Sequence, residues 1–174
     1  MDRELVERAQ LGDESAYAAL AVRIGDRLYA AANHILRDTG RAEDATQQAM
    51  IDIWRMLPQL KDPDRFQAWA YRIVVRAAYA EAGRQRLWSL RSSAVTPDRT
   101  FAPDHAAGIA DRDQLARGFQ RLPVDHRAVV VLKHFAGLSN LEIADALDIP
   151  EGTVRSRLHY SLKILRAALE ADSR

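Results

Sequence analysis

Residues 138–165, LSNLEIADALDIPEGTVRSRLHYSLKIL, leave a chain few ways to fold. Ser139 is a good helix cap, and Glu142 three positions later can return a hydrogen bond to the cap amide, so a helix begins there. Ile143, Ala144 and Leu147 form its apolar stripe. Asp148 and Pro150 then interrupt it. The proline ring disfavours helical backbone at Ile149 but suits the first turn of a new helix, which the sequence starts at Pro150 or Glu151. In that second helix Val154, Leu158, Leu162 and Leu165 keep one face on a core. Arg155, Ser156, His159, Tyr160 and Lys163 are left outward, a donor-rich surface of the kind a major groove accepts. The pattern is a helix-turn-helix; two helices of an ordinary bundle with a solvated basic face are the competing reading.

The 174 residues suffice for one medium domain or two small ones. With 25 basic and 24 acidic side chains the net charge is only +1, so any nucleic-acid footprint must come from local clustering. No cysteine occurs, which removes disulfides, thiol catalysis and cysteine-bearing zinc sites. The five histidines lack ligand spacing, and no metal or other cofactor is expected. The opening MDRELVERAQLGDES has no apolar run, which predicts neither a signal peptide nor membrane insertion, hence a cytoplasmic protein.

Upstream, residues 5–9 read as a short amphipathic helix stopped by Gly12. Ser15 is the expected cap of a long helix in which Tyr17, Leu20, Ile24, Leu28, Ala31 and Ile35 recur at three- and four-residue steps, with Gly40 as its end. From Ala42 the run AEDATQQAMIDIWRML turns Ala45, Ala49, Met50, Ile53, Trp54 and Leu57 inward and Glu43, Asp44, Gln47, Gln48 and Asp52 outward. Pro58 ends it; in the loop that follows Asp62 caps and Pro63 opens the next helix.

That helix differs in kind. Phe66, Trp69, Ala70, Ile73, Ala77 and Ala80 point to a core, while Tyr71 and Arg72 leave the stripe. Residues 65–91 hold six arginines and one glutamate, a local charge of +5, whereas residues 38–64 carry -3. Arginines interleaved with Trp69, Tyr71 and Tyr79 are what single-stranded DNA requires, since cations track phosphates and rings stack on bases. Aromatic residues at helical spacing are more often core than platform, and that reading stands beside it.

From 88 to about 110 the periodicity is lost and Pro97, Pro103 and Gly108 collect, which reads as a linker. The length exceeds what a compact domain tolerates without structure, so the chain divides into a domain over 1–87, a linker over 88–110 and a domain over 111–174. In the last, helices are expected over 111–120 and from Pro123 to Gly137, the latter burying Val124, Ala128, Val131, Leu132 and Phe135. No strand alternation appears, and the fold class is all-α with two small helical domains.

The whole arrangement resembles a bacterial RNA polymerase sigma factor of the sigma-70 family, extracytoplasmic-function group. AEDATQQAMIDIWR resembles that family's polymerase-binding helix, FQAWAYRIVVRAAYAEAGRQR its promoter-melting helix, and LPVDHRAVVVLKHFAGLSNLEIADALDIPEGTVRSRLHYSLKIL its fourth domain. The resemblance implies a transcription initiation factor whose partners are core RNA polymerase, through its β and β′ subunits, promoter DNA, and an anti-sigma factor as a hypothesis from the family. It places Glu43, Asp44, Gln47, Gln48, Asp52 and Trp54 on the polymerase. Lys61, Asp62, Arg65, Phe66, Trp69, Tyr71, Arg72 and Arg76 fall at the -10 element. Thr153, Arg155, Ser156, Arg157, His159, Tyr160 and Lys163 fall at the -35 element, with Arg157 and Lys163 on phosphates or solvent.

The chain departs from the family pattern at Gln48, Ala70, Arg76 and Tyr160, so base preferences are not carried over from relatives. With about nine residues after Leu165, a C-terminal regulatory domain of the kind some members of that family carry is not expected. A helix-turn-helix regulator with an N-terminal sensing or dimerisation domain is the alternative. An enzyme has no support, because neither a nucleophile elbow nor a glycine-rich phosphate loop is present.

Overall fold

A computed structural model of the chain describes residues 3–92 and 109–170, and all regular structure among them is helical. The chain divides into two compact units, Met1–Pro97 and Asp98–Arg174. In the first, α1 (Arg3–Gln10) is followed by α2 (Glu14–Leu36), α3 (Thr39–Met56) and α4 (Phe66–Ser92). The helices α2, α3 and α4 pack in all three pairings, and α1 lies against α2.

The caps differ from the sequence reading in two places. Asp13, not Ser15, caps α2: its carboxylate accepts the Ala16 amide at 3.0 Å, while Ser15 donates to the same carboxylate at 2.7 Å. A charged acceptor at the positive end of the helix is the stronger cap. The carboxyl of Asp13 is held below the usual aspartate range, first by the Ser15 hydroxyl, then by the Ala16 amide and Arg8. At the other end α2 stops at Arg37, which takes the left-handed conformation (φ 56°), and Gly40 lies within the first turn of α3, which begins at Thr39 behind the Asp38 cap. Glycine is not needed at the α2 end because the Arg37 amide still reaches the Asn33 carbonyl at 2.8 Å.

Three alanines of α3, Ala42, Ala45 and Ala49, are buried together with Ile53. Small side chains at successive turns let the α3 backbone approach its neighbours closely, and α3 is thereby wedged between α2 and α4. Helix α4 is buried more widely than a single stripe: Phe66, Ala70, Tyr71, Ile73, Val74, Val75, Ala77 and Ala78 are all inside, whereas Ala80, expected inward, is exposed. A helix covered by two others buries more than one stripe, so Tyr71, off the expected stripe, is inside as well.

In the second unit α5 (Ile109–Gln120), α6 (Val124–Val130), a π-helical turn (Val131–Phe135), α7 (Asn140–Leu147) and α8 (Glu151–Glu170) follow in order. Helices α5, α6 and α7 each pack on α8. Leu122, Val130 and Leu165 form a core with Phe119, Leu158 and Ile164 around it. Gly118 lets α5 meet α8: a methyl group there would stand 3.0 Å from the Leu165 side chain and 3.1 Å from that of Ala168.

The π turn explains a misassigned face. It inserts an extra residue before Gly137, which ends the segment with φ 73°, and rotates Phe135 outward; ahead of the turn Val129 and Val130 are buried as well, and Val124, expected inside, is half-buried. Pro123 stands one residue ahead of α6, at its cap. Both ends of the expected 88–110 linker are helical, since α4 runs to Ser92 and α5 starts at Ile109; residues 93–108 lie outside the described residues. Neither proline nor glycine interrupts residues 88–92, and α4 continues past residue 87.

Candidate nucleic-acid interface

In the second unit the joint between α7 and α8 forms as its residues dictate. Ser139 accepts the Glu142 amide at 3.2 Å, and the Glu142 carboxylate accepts the Ser139 amide at 2.8 Å, a complete capping box. Asp148 closes α7 in the left-handed conformation (φ 54°), and Ile149 donates its amide to the Ala144 carbonyl at 3.1 Å. Within α7 the buried residues are Ile143 and Ala146, with Ala144 and Leu147 half-buried.

Val154, Ser161, Leu165 and Ala168 turn α8 inward. At about 100° per residue, Arg155, Ser156, His159 and Lys163 share the opposite arc, and all four are exposed. Gly152 and Arg166, which the sequence reading passed over, extend the same exposed arc at either end. The Arg155 side chain is 66% exposed and only loosely paired, 3.9 Å from Glu151. Ser156 donates to the Thr153 carbonyl at 3.0 Å, and Thr153 itself is half-buried at the edge of the arc.

Arg157, expected on phosphates or solvent, is turned toward α6: its guanidinium lies 2.9 Å from Asp125 and is 23% exposed, so its charge is paired within the unit. Asp125 and His126, adjacent in sequence, both face α8: the His126 Nδ1 is 3.3 Å from Ser161 Oγ, and its ring meets Tyr160 edge-on with centroids 5.0 Å apart. Tyr160 is half-exposed beside the basic arc.

In the first unit the outer face of α3 carries Glu43, Asp44, Gln47 and Gln48, all exposed, with Asp52 half-buried and accepting from Gln48 at 3.0 Å. Trp54, expected inward, is 37% exposed and packs one face against Tyr17, with ring centroids 4.6 Å apart; Met50 is half-buried. Ile51, one position off the stripe, is 40% exposed and was not anticipated. An isoleucine outside the periodic pattern of an otherwise polar face was the available signal. The result is an acidic and amide-rich surface with an apolar end, suited to a basic partner helix that has an apolar stripe.

The loop between α3 and α4 is fixed by α1. Gln10 donates to the carbonyls of Leu57 at 3.1 Å and Leu60 at 2.7 Å, and Arg3 reaches Asp64 at 2.7 Å. Asp62 accepts the Asp64 amide at 3.1 Å and Pro63 follows it, as expected; Arg65 lies 3.6 Å from the Asp62 carboxylate and is otherwise open. Lys61, Asp62, Arg65 and Arg76 are exposed, and Trp69 and Arg72 are half-buried.

Two aromatic residues on the expected DNA list are in the core. Phe66 is 0% exposed and Tyr71 is 2% exposed, so neither ring offers a face to a base. Burying a phenylalanine contributes roughly 1.5–3 kcal/mol, which a stacked base would forfeit by pulling it out. Tyr71 is held against α2 beside Arg23 and Arg27, with Gln67 on its own helix; burial pushes its phenol up and the charge of Arg27 pulls it part of the way back. The outer face of α4 presents Arg76, Ala80 and Arg84 instead.

Comparison with known proteins agrees on both units. Residues 20–87 match the family described as sigma-70 region 2, and residues 112–165 match sigma-70, region 4. The ECF RNA polymerase sigma factor SigL of Mycobacterium tuberculosis is 30% identical, over 91% of this chain and 94% of its own length. The ECF RNA polymerase sigma-E factor of Escherichia coli is 31% identical, over 90% of this chain and 88% of its own. The sigma factor RpoE of Bartonella quintana, solved in complex with the anti-sigma factor NepR, shares the fold with a TM-score of 0.79 at 19% identity, covering 90% of this chain and 98% of its own.

Proposed function

Because the chain belongs to the sigma-70 family of RNA polymerase factors, in its extracytoplasmic-function group, we propose that it is a transcription initiation factor that directs core polymerase to promoters. The pairing of region 2 and region 4 in one chain carries this reading, because a helix-turn-helix regulator needs only the second of them. The exposed face of α3, with Glu43, Asp44, Gln47, Gln48, Ile51 and Trp54, takes the polymerase β′ subunit. Lys61, Asp62, Arg65, Trp69, Arg72 and Arg76 serve opened DNA at the -10 element. Arg155, Ser156, His159, Tyr160 and Lys163 serve the duplex at the -35 element, with Thr153 at their edge.

The chemistry of synthesis belongs to polymerase, and the family is a non-enzymatic class of transcription factor. Among the described residues no helix is long and apolar enough to cross a membrane, and we place the protein with polymerase in the cytoplasm. The relative solved with an anti-sigma factor supports the same form of control here. A pull-down from native lysate that returned polymerase alone would count against that control.

Reconstitution with core polymerase followed by run-off transcription tests the main reading. A stable complex and promoter-dependent transcripts are expected. A chain that binds duplex DNA by itself but never associates with core polymerase would be a regulator of the alternative kind.

A further inference from the structure

We propose that His126, which lies on α6 outside the DNA-facing arc, is a positioning residue that sets the base preference of α8 by holding Tyr160. The inference rests on the reading of α8 as the promoter-reading helix. Three contacts carry it. The Ser161 hydroxyl donates to the Arg157 carbonyl one turn back, at 2.7 Å. A hydroxyl has a single proton, so the longer contact, 3.3 Å to His126 Nδ1, is one in which Ser161 accepts and the imidazole donates. Ser161 is fully buried, and its carbonyl-bonded oxygen is a fixed point from which the imidazole plane is oriented.

The oriented ring then meets Tyr160 at an interplanar angle of 73° with centroids 5.0 Å apart, the edge-to-face geometry aromatic pairs prefer. Tyr160 is half-exposed at the edge of the basic arc, next to Ser156, while its ring leans on His126. A second link, Arg157 to Asp125 at 2.9 Å, fixes α6 along α8 immediately alongside. An unsupported tyrosine would sample several rotamers at this edge; one braced by His126 presents its hydroxyl to a single place. The position is where selectivity is gained by pre-organisation rather than by an added contact.

The test is a base-preference profile, measured with core polymerase reconstituted with the full chain on a promoter library randomised in the upstream element. Tyr160→Ala should flatten preference at one position. His126→Ala should flatten the same position by roughly fivefold, and the double variant should go no further than Tyr160→Ala, because residues acting through one another are not additive. His126→Phe, which keeps a ring edge for Tyr160 but drops the bond to Ser161, should recover only part of the preference. Should His126→Ala fail to fold, Ser161→Ala, which frees the imidazole but keeps the ring, should weaken the same position.

The proposal is overturned if His126→Ala leaves the profile unchanged, lowers all positions alike, or adds to Tyr160→Ala. It is also overturned if Tyr160→Ala changes nothing. A wild-type holoenzyme with no upstream preference would instead remove the reading of α8 itself, and is distinguishable because Arg155→Ala would then be silent too.

Discussion

Arg157 Nη2 stands 2.9 Å from Asp125 Oδ2, an ion pair that ties helix α8 to α6. A basic residue inside a basic helix is thus a tether, and its neighbours Arg155 and Ser156 do the facing outward. Arg157→Gln should cost stability, up to about 1 kcal/mol for a partly exposed pair, without a uniform loss of DNA affinity across sequences. Thermal unfolding alongside promoter binding checks it; a uniform loss of DNA affinity at unchanged stability would return Arg157 to the phosphate-contacting set.

Arg155 should behave in the opposite way. Its side chain is 66% exposed with one weak partner at 3.9 Å, so Arg155→Ala should leave the melting temperature nearly unmoved. It should cost about 1–3 kcal/mol at one base position of the upstream element and relax selectivity there. Competition binding on variant promoters separates this from a phosphate contact, for which every sequence would lose equally.

Asp148 closes α7 with φ 54°. A β-branched residue resists that conformation by roughly 1–2 kcal/mol, whereas glycine accepts it freely. Asp148→Val should therefore lower the melting temperature of the second unit and Asp148→Gly should leave it close to wild type. Equal effects of the two would mean that the aspartate side chain, not the backbone, matters at the turn.

Ile51 and Ile53 are two residues apart on α3, one exposed and one fully buried. Ile51→Glu should weaken association with core polymerase about tenfold at nearly constant stability, as expected of an apolar contact in an interface. Ile53→Ala should instead destabilise by about 2–5 kcal/mol. Chemical denaturation with a polymerase binding assay tests both, and an Ile51→Glu variant with wild-type affinity would move the docking surface elsewhere.

Asp13 gives a pH dependence. Its folded carboxyl is held below the ordinary range by Ser15, the Ala16 amide and Arg8, so the stabilisation it brings is present above the unfolded aspartate pKa and fades as pH falls. The difference in melting temperature between wild type and Asp13→Ala should be constant near neutrality and shrink below about pH 4. A difference that stayed constant into acid would show that the cap acts without its charge.

Much of this molecule was legible because local chemistry decides it. The Ser139–Glu142 capping box, the Asp148–Pro150 break, the Asp62–Pro63 start before α4 and the outward set Arg155, Ser156, His159 and Lys163 all follow from short-range rules, which need no knowledge of what lies across the core. The resemblance to sigma factors rested on the same local strings.

What packs against what was decided only by tertiary structure. Tyr71 is buried because α4 is covered by both α2 and α3, a fact its own periodicity does not contain. Trp54 is exposed because it leans on Tyr17 at the rim rather than entering the alanine-lined wedge of α3. The π turn before Gly137 rotates Phe135 outward by adding one residue to a helix, which no count of apolar positions anticipates. Arg157 and His126 acquire their roles from partners in another helix. Sequence determines which residues can cap, turn or face water; long-range contacts decide which of the eligible side chains are consumed inside the fold and which are left exposed.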